Sequence, residues 1–133
     1  MAETDAKIVA AGAAIILQTQ KRDGSWVATP VTPTLTGERI LLLTAANSGK
    51  AKRIRNFPGV KVAAGTNSGK TTGPERLATA RRLEGPDAET GRSLIRKKHP
   101  GGFGVIIRMR YKITKLEPAV FELSGFRSVP DPG

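Results

Sequence analysis

Thr44-Ala-Ala-Asn-Ser-Gly-Lys-Ala-Lys-Arg-Ile-Arg-Asn-Phe-Pro-Gly-Val-Lys-Val62 carries a strand end, a helix start, a helix stop and a new strand in one short segment. Upstream, Arg39-Ile-Leu-Leu-Leu-Thr44 is a short continuous apolar run, the pattern of a buried strand. Ser48 is a good N-cap, since its hydroxyl can accept from an amide that the first helical turn leaves unpaired. A helix from Ser48 to Phe57 places Ala51, Ile54 and Phe57 on one stripe by their spacing of three. Lys50 and Arg53 border that stripe, and Lys52 and Arg55 point away. Pro58-Gly59 stops the helix, and Val60-Lys-Val-Ala-Ala64 resumes as a strand.

Working outward, Ala13 to Gln20 leads through Lys21-Arg-Asp-Gly24 into Ser25-Trp-Val-Ala-Thr-Pro-Val31. Asp-Gly between two such runs predicts a hairpin, because both residues tolerate positive φ. Pro30 and Pro33 cannot donate to a ladder, so the second strand belongs at an edge or a bulge and flanks a groove. Gly37-Glu38 turns the chain again, and Glu75 to Leu83 predicts a further strand. Asp87 to His99 predicts a helix whose acids come early and whose bases come late, with Pro100-Gly101-Gly102 as its stop. In Val105 to Leu116, Val105, Ile107, Met109, Tyr111 and Ile113 share one face, while Arg108, Arg110, Lys112 and Thr114 share the other. Glu117-Pro118 breaks that strand, Ala119 to Leu123 forms the last one, and Val129 to Gly133 reads as a loose tail. The result is one mainly β domain over 1–133, with 1–10 as a lead-in. Six or seven strands form an antiparallel barrel with two or three short helices, because the hairpin spacing leaves no room for parallel crossovers.

The composition narrows the chemistry. With no cysteine, thiolate catalysis, disulfides and iron–sulfur ligation are excluded, and one His makes a transition-metal site improbable. A reducing cytoplasm is permitted, and the apolar stretch Ile8 to Leu17 is too short to span a bilayer. The formal charge of +11 calls for an anionic partner, with nucleic acid, acidic membrane and a polyanionic small molecule all open on charge alone.

Asn-Ser-Gly-Lys occurs twice, at Asn47 to Lys50 and at Asn67 to Lys70. The second copy lies in Gly65-Thr-Asn-Ser-Gly-Lys-Thr-Thr-Gly73, which mimics a nucleotide-triphosphate loop. The mimicry fails on spacing, since position 64 is Ala and Gly65 stands one residue too close, and no helix follows. Asn67 to Lys70 is therefore a hairpin turn, from which Lys70 can lend charge. The first copy opens a helix, so amides near Gly49 and Lys50 face outward where an anion is stabilised. A cation in a helix's first turn costs a few tenths of a kcal/mol unless an anion sits between them. A solvated basic helix and an anion site remain equal readings of this pattern.

The segment from Thr44 to Val62 closely resembles one in the deazaflavin-dependent enzymes of the pyridoxamine 5′-phosphate oxidase-like class, split β-barrel proteins that use coenzyme F420. The similarity continues colinearly through Arg22-Asp-Gly24, Ala28 to Val31, Gly73-Pro74, Ala80-Arg-Arg-Leu83 and Leu94 to His99, over roughly residues 13 to 125. The resemblance implies an FMN-binding-like split barrel and a homodimer with a shallow cofactor groove at the subunit interface. It also implies hydride transfer between reduced deazaflavin and a small organic acceptor. Residue by residue, Asn47, Ser48, Gly49, Lys50 and Arg53 match the phosphate-binding segment, Thr29, Pro30 and Val31 flank the ring system, and Thr44 and Ala45 touch the ring or its ribityl chain. F420 carries a phosphodiester, a lactate carboxylate and an oligoglutamate tail, which gives the charge surplus a partner.

The chain departs from the family pattern at Thr32-Pro33, at Ala63-Ala-Gly65 and at His99, all on the substrate side, so the acceptor is the least constrained inference. The rival readings are an FMN enzyme on the same fold, a cofactor-binding protein without turnover, and, remotely, a nucleic-acid binder. The last lacks exposed aromatics interleaved with the charges. His99 reads as a helix-end residue, Tyr111 as core and Trp26 as a packing residue.

Overall fold

The computed structural model describes residues 4–46, 48–98 and 118–129. Its elements run α1 (Asp5–Val9), β1 (Ala14–Gln20), β2 (Trp26–Val31), β3 (Thr34–Thr36), β4 (Arg39–Ala45), α2 (Gly49–Asn56), β5 (Gly59–Gly65), β6 (Arg76–Arg82), α3 (Gly85–Lys98) and β7 (Pro118–Ser128). The strands form one antiparallel sheet in the order β2-β1-β5-β6-β7-β4-β3, curled into the half-barrel of the split β-barrel fold.

Alternation along the strands divides the apolar residues between two faces. Ile15, Leu17, Val60, Val62, Ala78, Ala80, Ala119, Phe121, Leu123, Ile40 and Leu42 line the inside of the curl and form the main core. Their strand neighbours Leu41, Leu83 and Val120 face outward under α3, packed against Ala88 and Ile95. Gly91 lets α3 approach closely, since a Cβ there would stand 2.9 Å from Val120 Cγ1. The inside is plugged by α1, through Ala6 and Val9, and by α2, through Ala51 and Ile54. Burying a side chain the size of Ile54 contributes about 1.5–3 kcal/mol. Thr4 caps α1, and Arg76 Nε holds Asp5 Oδ1 at 3.1 Å, which ties the plug to β6.

The turns follow their residue chemistry. The β1–β2 hairpin closes with Gly24 at φ +89° and with Asp23 Oδ1 accepting from Ser25 Oγ at 2.6 Å and Ser25 N at 2.9 Å. Asn67 to Lys70 is a turn, with Gly69 at φ +98° and Thr66 N donating to the Lys70 carbonyl at 2.9 Å. Pro30 lies on an edge strand, as a residue without an N–H requires.

Several boundaries differ from the sequence expectation. The lead-in contains α1, whose buried residues belong to the core. Helix α3 starts at Gly85 rather than Asp87, with Pro86 in its first turn, where a missing N–H costs nothing. The closing strand extends beyond Leu123 to Ser128, crossing a register shift opposite Leu77 and Thr79 with Gly125 at φ +65°. Pro118 opens that strand. Phe57 is not on a buried stripe: it is 36% exposed as the C-cap of α2. The expected strand Val105 to Leu116, with Tyr111, the break at Glu117, His99, Asn47 and residues 130–133 lie outside the described residues.

Candidate anion and cofactor site

Helix α2 bridges the curl, packing on β1 at one side and β4 at the other. Ser48 is its N-cap, and the Ser48 hydroxyl accepts from Ala51 N at 3.1 Å. The Thr44 hydroxyl, at the end of β4, lies 3.5 Å from Ser48 Oγ. Thr44, Ala45, Ser48 and Lys50 are all half-buried there, and Gly49 is exposed. The first turn of α2 contains no acid to answer its dipole.

Arg53 turns back toward the start of its own helix, the direction that helix side chains favour. A Cβ added at Gly49 would meet Arg53 Nη1 at 2.8 Å and Cζ at 3.6 Å, so the guanidinium lies directly over the glycine. On its other side, Arg53 Nε donates to Thr19 Oγ1 at 2.6 Å. Thr19 is fully buried on β1. Among the described residues the Arg53 side chain makes that one hydrogen bond and no ion pair. The helix start and the Arg53 guanidinium thus lie at one place, one residue before Lys50, which suits a phosphoryl or carboxylate group.

The register brings β2 to the same place. Thr19 pairs with Val27 and Leu17 with Thr29, so Thr29 is the diagonal neighbour of Thr19 on the inner face, roughly 7–8 Å away. Thr29 Oγ1 is buried without a hydrogen-bond partner. An orphaned buried hydroxyl costs about 1–3 kcal/mol, so a polar group from a ligand would be welcome here. Val31 packs on the core from the same strand face, while Pro30 points the other way and is exposed. The residues present therefore fit a cofactor with an anionic end: cations and amides at α2, and an unpaired hydroxyl beside them.

Of the other expected site residues, Lys70 sits on the exposed β5–β6 turn. That turn lies at the Ala14 end of β1, about five residues and so roughly 16 Å from Thr19. Trp26 is half-buried at the first residue of β2, paired with Gln20, with Lys61 Nζ 4.7 Å from its ring centroid. Thr19 itself was not among the expected residues, because one Thr in a β-branched run reads as an ordinary strand residue.

Cavities elsewhere do not compete for this role. A cleft of about 640 Å³ beside Arg82, Glu84, Glu89 and Arg92 lies at the start of α3. A smaller one of about 170 Å³ holds Glu122 between Arg39 at 2.7 Å and Arg81 at 3.6 Å. Both lie along α3, on the opposite face from α2, and their charges largely neutralise one another.

No family model and no curated protein matches the chain. Solved structures do match. A Listeria innocua protein provisionally identified as a pyridoxamine 5′-phosphate oxidase superposes with TM-score 0.61 at 18% identity, covering 90% of each chain. An F420-H2-dependent reductase, FDR-A, superposes with TM-score 0.60 at 17% identity, covering 84% of this chain and 94% of its own. HutZ, described as a heme storage protein of Vibrio cholerae, gives TM-score 0.62 at 16% identity, covering 96% and 87%. These likenesses establish the fold, shared by proteins with different cofactors.

Proposed function

We propose that the chain is an oxidoreductase that binds the deazaflavin coenzyme F420 and passes a hydride between it and a small organic acceptor, as a cytoplasmic homodimer. The observation that carries the reading is the Arg53 guanidinium laid across Gly49 at the start of α2, where the helix end already favours an anion. The similarity to a structure of an F420-H2-dependent reductase supports it.

In this reading Ser48, Gly49, Lys50 and Arg53, with Asn47, hold the phosphodiester. Thr44 and Ala45 meet the ring or ribityl chain, and Thr29, Pro30 and Val31 flank the ring system. The Thr29 hydroxyl gains the partner it lacks. Lys70 adds charge toward the acidic tail. A single subunit offers one wall of the groove, and the second subunit supplies the other. The bound deazaflavin supplies the hydride chemistry, so the protein's own work is orientation and exclusion of competing reactions. That division suits a chain with no cysteine and one His.

The test is titration of the purified protein with F420, flavin mononucleotide and heme, each followed by absorbance or fluorescence. Saturable change with F420 at low micromolar protein, with the other two inert, is the expected result. Binding of flavin mononucleotide alone would move the assignment to a flavin enzyme on this fold. The substitution Lys50→Ala is expected to weaken F420 binding about tenfold or more, as loss of a charge-assisted contact does.

A further inference from the structure

Thr19 is at odds with its setting. A residue on the inner face of a central strand, flanked on that face by Leu17 and fully buried, is packed as well by valine, which has the same shape and needs no hydrogen bond. Instead the hydroxyl receives Arg53 Nε at 2.6 Å, from a helix on a different part of the chain. This fixes one edge of the guanidinium and leaves Nη1 and Nη2 over Gly49, with Nη1 nearer to it. The bare glycine is the second half of the arrangement, because any side chain at 49 would stand where Nη1 lies.

We propose that Thr19 is a positioning residue, which sets Arg53 in advance to receive two oxygens of a phosphoryl group at the start of α2. The inference rests on the reading of α2 as the anchor of the cofactor's phosphate, and it adds the residue that makes the anchor rigid. An arginine held at Nε loses less freedom on binding than a free one, so the gain appears as affinity for the anionic end only. A merely structural Thr19 would affect every ligand, and the stability of the chain, without regard to phosphate.

The experiment compares ligand pairs that differ in the phosphate: F420 against its phosphate-free deazaflavin alcohol, and flavin mononucleotide against riboflavin. Each is titrated by fluorescence into wild type, Thr19→Val, Thr19→Ala, Thr19→Ser, Arg53→Lys and Arg53→Ala. Thr19→Val is expected to lower affinity for the phosphate-bearing member about tenfold and to leave the phosphate-free member unchanged, with Thr19→Ser restoring wild-type behaviour. In the Arg53→Ala background, Thr19→Val is expected to add no further loss. Arg53→Lys keeps the charge but loses both the Nε donor and the fork, and is expected to lose at least as much affinity; Thr19→Ala, which deletes the hydroxyl, carries the test if Thr19→Val fails to fold. Equal losses for both members of a pair, or no loss in either Thr19→Val or Arg53→Lys, would overturn the proposal. If wild type binds neither cofactor, the functional reading fails by itself, and the clamp is decided with inorganic pyrophosphate. A rise in melting temperature that is present in wild type and Thr19→Ser but lost in Thr19→Val and Arg53→Lys supports it, and its absence sinks it.

Discussion

Asp23 shows how far a single exposed side chain can be read. Its carboxylate accepts from the hydroxyl of Ser25 and then from the Ser25 amide, and both bonds favour the charged form, holding its pKa below the ordinary carboxylate value. The folded value is depressed, so the hairpin contribution is present above the ordinary value, about 3.9, and is lost as pH falls through the folded value. An NMR titration should place the Asp23 carboxyl below a model peptide, and Ser25→Ala, which removes the hydroxyl but keeps the amide, should return it part of the way. An unchanged titration in Ser25→Ala would reject this account. The Asp-Gly turn was legible because its chemistry is local, as was the capping role of Ser48. Thr19 and the orphaned Thr29 hydroxyl were not, because each depends on which residues the register sets side by side.

Among elements, legibility followed how much of the pattern was contained in the element itself. Strand β4, helix α2 and strand β5 match the sequence reading to within a residue or two, since apolar runs, an N-cap and a Pro-Gly stop mark them directly. Helix α1 was missed because one and a half turns carry too little periodicity, and its place is set by packing of Ala6 and Val9 in the curl. The three-residue β3 exists because β4 offers it an edge. The length of β7 was hidden by Gly125, which reads as a stop and instead makes an irregular step in a continuing strand. Helix α3 offers an element-level prediction. Gly91→Ala would gain up to about 1 kcal/mol of helix propensity, against about 1–3 kcal/mol for overpacking. The new Cβ would stand 2.9 Å from Val120 Cγ1, a stiff side chain with no exposure, so overpacking wins. Urea unfolding should show Gly91→Ala less stable than wild type by about 1 kcal/mol; a stabilised variant would mean that α3 can shift outward freely.

For the molecule as a whole, the charge of +11 matters more to association than to folding. Affinity for F420 should fall with ionic strength, roughly tenfold between low and high salt, and mainly through a slower association rate. A salt-independent association rate in stopped-flow fluorescence would show that the surplus charge serves something else. Cofactor at about a hundred times its Kd should add about 2.7 kcal/mol to stability by mass action.

The position of β7 has a further consequence. Last of the described strands in sequence, it lies inside the sheet, between β6 and β4, and Ile40 waits for Leu123 as its partner. During synthesis the ribosome therefore releases β4 and β6 well before the strand that joins them, and each carries an unsatisfied edge in the interval. The nascent chain cannot settle piecemeal from its N-terminus; its closure is a late, long-range event, and a translational pause ahead of Pro118 would prolong the period in which it is most exposed to a chaperone or to another copy of itself.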